Sequence, residues 1–319
     1  MDDGWLRPGD VFDQYQLDWE LGQGAMATVF RACHLPTNTL CVVKVLHAAL
    51  TDQASFVHQF QREAEVLQQL THPHIIQYYA SGQWHDRYYI VMEYLAGLTL
   101  RAMLRERKRL VPAEAVWLAW QTAEALAYAT ETVGLIHGDL KPENLFITAD
   151  GCLKVLDFGF AWLPKGTDSS ADPSLEHAWK EFSSSPTRLE ATAVPPIRQW
   201  TGQGFVSGLM GTLDYMAPEQ LLGKKPFDTR IDVYALGVCL FQMLTGALPY
   251  QQAQTFEELL VAHGEQNPFH LDDFLYDPHP QLVSVVERAL AVAPEERWPT
   301  MQEFGSALQA LLQFFRWGR

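Results

Sequence analysis

A chain of 319 residues with 48% hydrophobic content is long enough to bury one or two substantial cores, and its 38 acidic against 23 basic residues leave a formal charge of −15 at pH 7. That balance argues against a nonspecific nucleic-acid binder that works by neutralising phosphates, and against a polybasic membrane anchor. Four cysteines, Cys33, Cys41, Cys152 and Cys239, lack metal-ligand spacing and the density of a disulfide scaffold, so a reducing, cytoplasmic setting is the expectation.

The N-terminal MDDGWLRPGD is acidic and has neither the basic flank nor the apolar core of a signal peptide. Leu21-Gly22-Gln23-Gly24-Ala25-Met26-Ala27-Thr28-Val29 then reads as a glycine loop feeding a strand over Val29-Phe30-Arg31-Ala32. Glycines let a backbone approach phosphates closely and present its N–H donors, although an isolated match of this kind is equally compatible with an ordinary tight turn. After the Pro36-Thr37-Asn38 turn, Leu40 to Leu46 reads as a strand with one lysine, Lys44, inside it. A lone lysine on a strand is most often a solvent-facing residue. Residues 54–70 place Phe56, Phe60, Ala64 and Leu67 at helical spacing with Glu63 beside that stripe. His72-Pro73-His74-Ile75-Ile76 ends the helix and opens a strand, and Tyr88 to Leu95 supplies another. The two histidines have no further ligand at metal spacing, so they read as helix termination. Pro112 begins a helix to about Val133, stopped by Gly134, with Val116, Ala119, Ala123, Leu126 and Ala127 on one side and Trp117 and Trp120 read as packing groups.

The densest chemistry lies between residues 136 and 159, IHGDLKPENLFITADGCLKVLDFG. Pro142 lacks an N–H and bars an ordinary helix interior, so Asp139 and Asn144 are expected on a loop. Leu153 to Leu156 reads as a short strand after the Asp150-Gly151 turn, with Asp157 at its end. One carboxylate there can accept a hydroxyl proton, while the other and the amide oxygen are hard ligands for magnesium; Lys141 adds a point charge for a phosphate. Residues 164–208 are rich in proline, serine, threonine and glycine, which favours an irregular loop, yet Trp162, Trp179, Phe182, Trp200 and Phe205 are many aromatics for a solvated segment, and Ser174 to Phe182 could form a short docking helix. The apolar run Val233 to Leu248 is too short and too interrupted to span a membrane and reads as a buried helix; 255–263, 280–292 and 300–315 read as amphipathic helices.

His137-Gly138-Asp139-Leu140-Lys141-Pro142-Glu143-Asn144 followed by Asp157-Phe158-Gly159 resembles the catalytic and magnesium loops of protein kinases, and Gly211-Thr212-Leu213-Asp214-Tyr215-Met216-Ala217-Pro218-Glu219 resembles the end of their activation segment. In order, over roughly residues 15–312, these motifs resemble those of the bacterial members of the eukaryotic-like Ser/Thr protein kinases. The resemblance implies an α+β bilobal fold: an extension over 1–14, a small β-rich lobe with one helix over 15–95, a larger helical lobe over 96–312 with a long activation-segment insertion near 164–208, and a tail over 313–319. It implies transfer of the γ-phosphate of ATP to serine or threonine hydroxyls of a protein. Asp139 would orient the acceptor, Lys141 would contact a phosphate, and Asn144 and Asp157 would hold Mg2+, with Mn2+ as a substitute. Lys44 and Glu63 would pair to position the α- and β-phosphates.

Nucleotide contacts are implied at Gly22, Gly24, Val29, Val42, Lys44, Met92, Glu93, Leu95 and Phe146, with Met92 at the gatekeeper position, Glu93 to Leu95 at the hinge and Gly97 at the lobe boundary. The same resemblance pairs Glu219 with Arg297, has Asp232 brace the catalytic loop, brings Thr212 to the catalytic aspartate and lysine, and makes Phe160 a lean toward serine acceptors. Two positions depart from the pattern. Ala27 stands at the third loop glycine, and Gly138 stands where many kinases carry an arginine that receives an activation-loop phosphate. The implied partners are ATP and a protein substrate, with no nucleic acid and no membrane span, and with self-association for autophosphorylation left open. Two rivals are a small-molecule phosphotransferase of the aminoglycoside-kinase type, where H-G-D is the common form, and a pseudokinase that acts by binding. The insertion is expected to regulate activity from the substrate groove, and Cys33 and Cys41 are a candidate disulfide across a hairpin.

Overall fold

The computed structural model of the chain describes residues 6–159, 213–222, 227–250, 253, 256–264 and 268–316, and these divide into two compact units. One runs through Ala96 and includes the segment that begins at Asp157; the other runs from Gly97 to Leu156 and on through the C-terminal helices.

The first unit is an antiparallel sheet of six strands, β1 (Val11–Phe12), β2 (Tyr15–Gln23), β3 (Ala27–His34), β4 (Thr39–Leu46), β5 (Tyr78–Trp84) and β6 (Arg87–Glu93), in the order β1-β2-β3-β4-β6-β5, with helix α1 (Ala54–Gln69). Side chains alternate between faces along a strand, and one face is filled by Leu17, Phe30, Ala32, Cys41, Val43, Val45 and Val91. Phe12 is 0% exposed in that cluster, and the Tyr89 hydroxyl donates to Asp13 Oδ2 at 2.6 Å. Phe12, within the stretch expected as an extension ahead of the lobe, is thus packed into the core of this unit. Ile75 and Ile76 are buried, but the strand expected there starts only at Tyr78.

Register also disposes of the candidate disulfide. Cys41 pairs with Ala32 and Cys33 with Leu40, so the two thiols sit one residue out of step and alternate between sheet faces. Cys41 is buried and Cys33 half-buried, donating to Asn38 Oδ1 at 3.4 Å; both are free thiols.

The second unit holds a three-stranded antiparallel sheet, β7 (Gly97–Thr99), β8 (Leu145–Thr148) and β9 (Leu153–Val155), and helices α2 (Leu100–Arg107), α3 (Pro112–Val133), α4 (Pro218–Leu221), α5 (Arg230–Thr245), α6 (Phe256–Gly264), α7 (Pro280–Ala289) and α8 (Met301–Arg316). α3 starts on Pro112, whose missing N–H would have no helical partner anyway, and stops where Gly134 takes a left-handed φ of 68° and donates to Thr130 O. Val116, Ala119, Ala123 and Leu126 are buried as the periodicity requires. Trp117 departs from its reading as a packing group: it is 37% exposed and stacks on Trp120 with ring centroids 4.9 Å apart. α5 is buried at every position from Ile231 to Leu244, which accounts for its all-round apolarity. Among the described residues no helix is long and apolar enough to cross a membrane.

Candidate active site

In the first unit, antiparallel pairing sets Val29 opposite Lys44 and Val42 opposite Met92. Residues directly opposite share a face and every second residue returns to it, so Val29, Val42, Lys44 and Met92 line one side of the sheet. Gly22 pairs with Val29 near the end of β2, and the turn itself is only Gly24 to Met26, closed by the Gly24 N–H on Ala27 O at 2.9 Å. Glu93 Oε1 accepts the Gln77 N–H at 2.8 Å, and Leu95 is half-buried. Phe146, the remaining expected nucleotide contact, lies half-buried on β8 in the other unit.

Lys44 Nζ donates to Glu63 Oε1 at 2.6 Å and Oε2 at 2.8 Å, and reaches Asp157 Oδ1 at 3.5 Å. The side chains of Lys44 and Glu63 are 15% and 4% exposed, against 43% for Asp157, so the two-point ion pair is enclosed and the second carboxylate is open. Burial opposes the lysine charge, but the Asp157 and Glu63 carboxylates outweigh it and hold its pKa above the ordinary value. Burial, helped by the charge on Asp157, pushes the Glu63 carboxyl up to about 7 against the pull of Lys44. Asp157 sits at φ 41°, a left-handed conformation uncommon outside glycine, and its Oδ1 accepts the Gly159 N–H at 3.0 Å. Gln59 Nε2 donates to Gly159 O at 2.8 Å, tying the same turn to α1. A Cβ at Gly159 would stand 3.1 Å from Asp157 Oδ1 and 3.2 Å from Glu63 Oε2, so glycine is what admits both carboxylates.

In the second unit the catalytic-loop residues gather around Asp139. Lys141 Nζ donates to Asp139 Oδ2 at 2.7 Å, and Asn144 Nδ2 donates to Asp139 O at 2.8 Å and approaches Oδ2 at 3.4 Å. The expected loop is in fact closed by one 3-10 turn, Pro142–Asn144, with proline at its first position. Gly138 has φ 74°, and the Asp232 carboxylate receives the His137 N–H at 2.7 Å and the Gly138 N–H at 2.9 Å. Asp232 is 3% exposed, and burial raises its pKa above the ordinary carboxylate value although His137 and the two N–H donors pull the other way. His137 Nδ1 accepts the Asp139 N–H at 3.3 Å, which leaves Nε2 as the donor toward Leu156 O at 3.4 Å. Farther along, Arg297 Nη1 and Nη2 donate to Glu219 Oε1 and Oε2 at 2.7 and 2.8 Å.

The donors expected to hold a divalent ion suit magnesium. The Asn144 amide nitrogen is committed to Asp139, which turns its oxygen into the available ligand atom, and Asp157 offers a half-exposed carboxylate. Among the described residues no group of three or more His, Cys, Asp or Glu forms a metal cluster.

The structure thus gathers Lys44, Glu63 and Asp157 in one unit and Asp139, Lys141 and Asn144 in the other. Phe160, Thr212 and the 164–208 stretch lie outside the described residues. Two contributors were missed in the sequence. Gln59 precedes Glu63 by four residues, one helical turn, and that spacing was the available signal; the Arg101 contacts with Glu143 and Tyr215 carried none.

A family model described as protein kinase domain matches residues 15–184 and 196–308. The serine/threonine-protein kinase PknD of Mycobacterium tuberculosis is 32% identical over 310 residues, a match spanning 93% of this chain and 40% of that protein. Serine/threonine-protein kinase pkn3 of Myxococcus xanthus is 32% identical over 305 residues, spanning 93% of this chain and 50% of its own length. The chain thus spans half or less of these relatives. Among solved structures, the Mycobacterium tuberculosis PknI kinase domain is 26% identical with a TM-score of 0.66, covering 96% of this chain and 99% of that one.

Proposed function

The chain belongs to the protein kinase domain family, and from that premise we propose that it transfers the γ-phosphate of ATP to serine or threonine hydroxyls of a protein. The observation that carries this reading is the Asp139 carboxylate held by the Lys141 ammonium at 2.7 Å, with the Asn144 amide donating to the Asp139 backbone carbonyl at 2.8 Å. An acceptor hydroxyl donates to Asp139, its oxygen forms the new bond to phosphorus, the bond to the β-phosphate oxygen breaks, and the hydroxyl proton passes to the carboxylate. Lys141 offsets charge on the moving phosphoryl group. The Lys44 ammonium, oriented by Glu63, does the same for the α- and β-phosphates, and Gly22, Gly24, Val29, Val42, Met92, Glu93, Leu95 and Phe146 hold the nucleotide. Asn144 and Asp157 would hold a magnesium or manganese ion, which would supply further charge neutralisation on the phosphates.

In this reading residues 15–95 form the nucleotide lobe and 96–312 the acceptor lobe, and the chain works in the cytoplasm, where ATP is present and its free thiols stay reduced. The test is label transfer from γ-labelled ATP with magnesium, offering a basic protein of the myelin type and, separately, aminoglycosides. Label on protein serine or threonine, lowered about 10²- to 10⁴-fold in Asp139→Asn, is the expected result. Label on the aminoglycoside alone would replace the protein-kinase reading, and no label at all would leave a binding protein.

Regulation follows from position 138. Glycine there offers no guanidinium to an activation-loop phosphate, and the long segment near 164–208 brings its own aromatics, so docking of that segment in the acceptor groove sets activity. Deleting 165–205 is expected to raise turnover of an outside acceptor; unchanged or abolished turnover counts against the idea.

A further inference from the structure

Arg101 stands in the first turn of α2, just after Thr99, whose Oγ1 caps the helix by accepting the Ala102 N–H at 3.2 Å. Its guanidinium bridges two segments that are far apart in sequence. Nε donates to Glu143 Oε1 at 2.6 Å, and Nη2 donates to the Tyr215 hydroxyl at 3.0 Å. Tyr215 has a single hydroxyl hydrogen, which goes to Gln242 Oε1 at 2.7 Å, so the oxygen must accept from Arg101. A line of one polarity therefore runs from Arg101 through Tyr215 to α5, with a second arm to Glu143.

The two arms differ in what they can contribute. The Arg101 and Glu143 side chains are 24% and 44% exposed, and an ion pair that open to water contributes little by itself. Tyr215 and Gln242 are 2% and 8% exposed, so their hydrogen bonds are made where water cannot replace them. The ends of the line matter as much. Glu143 precedes Asn144 in the same 3-10 turn, and Tyr215 lies two residues before Ala217. A second tie joins the same two segments, because Gln220 accepts the Ala217 N–H at 2.9 Å and donates to Gly138 O at 3.3 Å. Gly138, Asp139, Leu140, Tyr215, Met216 and Gln220 are among the residues lining a small, partly open pocket between them.

We propose that Arg101 is a positioning residue for phosphoryl transfer: through Glu143 and Tyr215 it holds the Pro142–Asn144 turn and the 213–217 segment in one register, setting kcat without touching ATP or acceptor. This rests on the protein-kinase reading above. An error of an ångström in such a register is enough to cost one to two orders of magnitude in rate.

The experiment is steady-state transfer from ATP to a basic acceptor protein by the full chain and by Arg101→Ala, Arg101→Lys, Tyr215→Phe and the Arg101→Ala/Tyr215→Phe pair, each with its unfolding midpoint measured. Arg101→Ala is expected to lower kcat roughly tenfold at an unchanged KM for ATP. Lysine, which keeps the charge but lacks the planar fork that spans both arms, restores part of the rate, and the double variant falls no further than the Arg101→Ala single. Unchanged kcat in Arg101→Ala, multiplicative losses in the double variant, or a rate loss that merely tracks the fraction unfolded at assay temperature would each overturn the role of Arg101 while leaving the kinase reading in place. No transfer by the unmodified chain would remove both.

Discussion

Arg297 has five guanidinium N–H groups, and each one has an acceptor. Nε donates to Ala291 O at 2.7 Å, Nη1 to Glu219 Oε1 at 2.7 Å and Arg230 O at 3.2 Å, and Nη2 to Glu219 Oε2 at 2.8 Å and Val292 O at 2.9 Å. Its side chain is 0% exposed and its guanidinium lies 4.9 Å from the centre of the Tyr234 ring. Lysine keeps the charge but has three donors and no planar fork, so it leaves the partly buried Glu219 and several carbonyls short of partners. Arg297→Lys is expected to destabilise the chain by about 3 kcal/mol, read as a lower urea midpoint at unchanged slope. A loss under about 1 kcal/mol would mean that charge alone holds this junction. At this scale the sequence was most legible where a motif names both partners, as with Glu219 and Arg297 or Lys44 and Glu63. It was least legible where the backbone decides: nothing in the letters Asp157-Phe158-Gly159 announces a φ of 41° at the aspartate.

α5 sets two rules of helix chemistry against each other at Gly237. Alanine in place of glycine in a helix interior should stabilise by about 1 kcal/mol, since glycine loses more backbone freedom on folding. A Cβ at Gly237, however, would stand 2.9 Å from Ala289 Cβ and 3.3 Å from Leu290 Cδ2, and it would have to be accommodated at the end of α7. Overpacking of this kind costs about 1–3 kcal/mol, so it wins. Gly237→Ala should lower the unfolding midpoint, and Ala289→Gly added to it should recover part of the loss because it vacates the space; a Gly237→Ala variant more stable than the parent would show that α7 moves aside freely. The existence and type of α5 could be read from the apolar run Val233 to Leu248, although the helix itself stops at Thr245, where Gly246 takes φ 78°. The boundary of β5 could not be. Ile75 and Ile76 look like strand residues because they are buried, yet burial in a loop gives the same letters, and pairing with β6 begins only at Tyr78.

For the molecule as a whole, the order of motifs from the glycine loop to Arg297 was enough to anticipate a β-rich unit and a helical one, whereas the junction of α5 with α6 is built from side chains with no motif. There His263 Nε2 meets the Tyr234 hydroxyl at 2.8 Å, Nδ1 donates to Leu259 O at 2.7 Å, and the Tyr250 ring lies 4.1 Å away. Burial is the main reason that its pKa is held below the ordinary 6.5, and nearby Arg297 adds to the effect while Glu219 and the Leu259 carbonyl oppose it. A histidine with a lowered pKa binds fewer protons folded than unfolded, so its contribution to stability is complete above about pH 6.5 and fades as pH falls toward the folded value. Glu63 and Asp232 are shifted upward and act in the opposite sense, which would mask the trend in the parent chain alone. Comparing the parent with His263→Gln cancels them, because both proteins carry the same carboxylates. The stability difference between the two, from urea titrations at a series of pH values between 5 and 8, should be largest at the alkaline end and shrink on acidification. A difference that stays constant or grows as pH falls would mean that His263 is not held neutral at this junction.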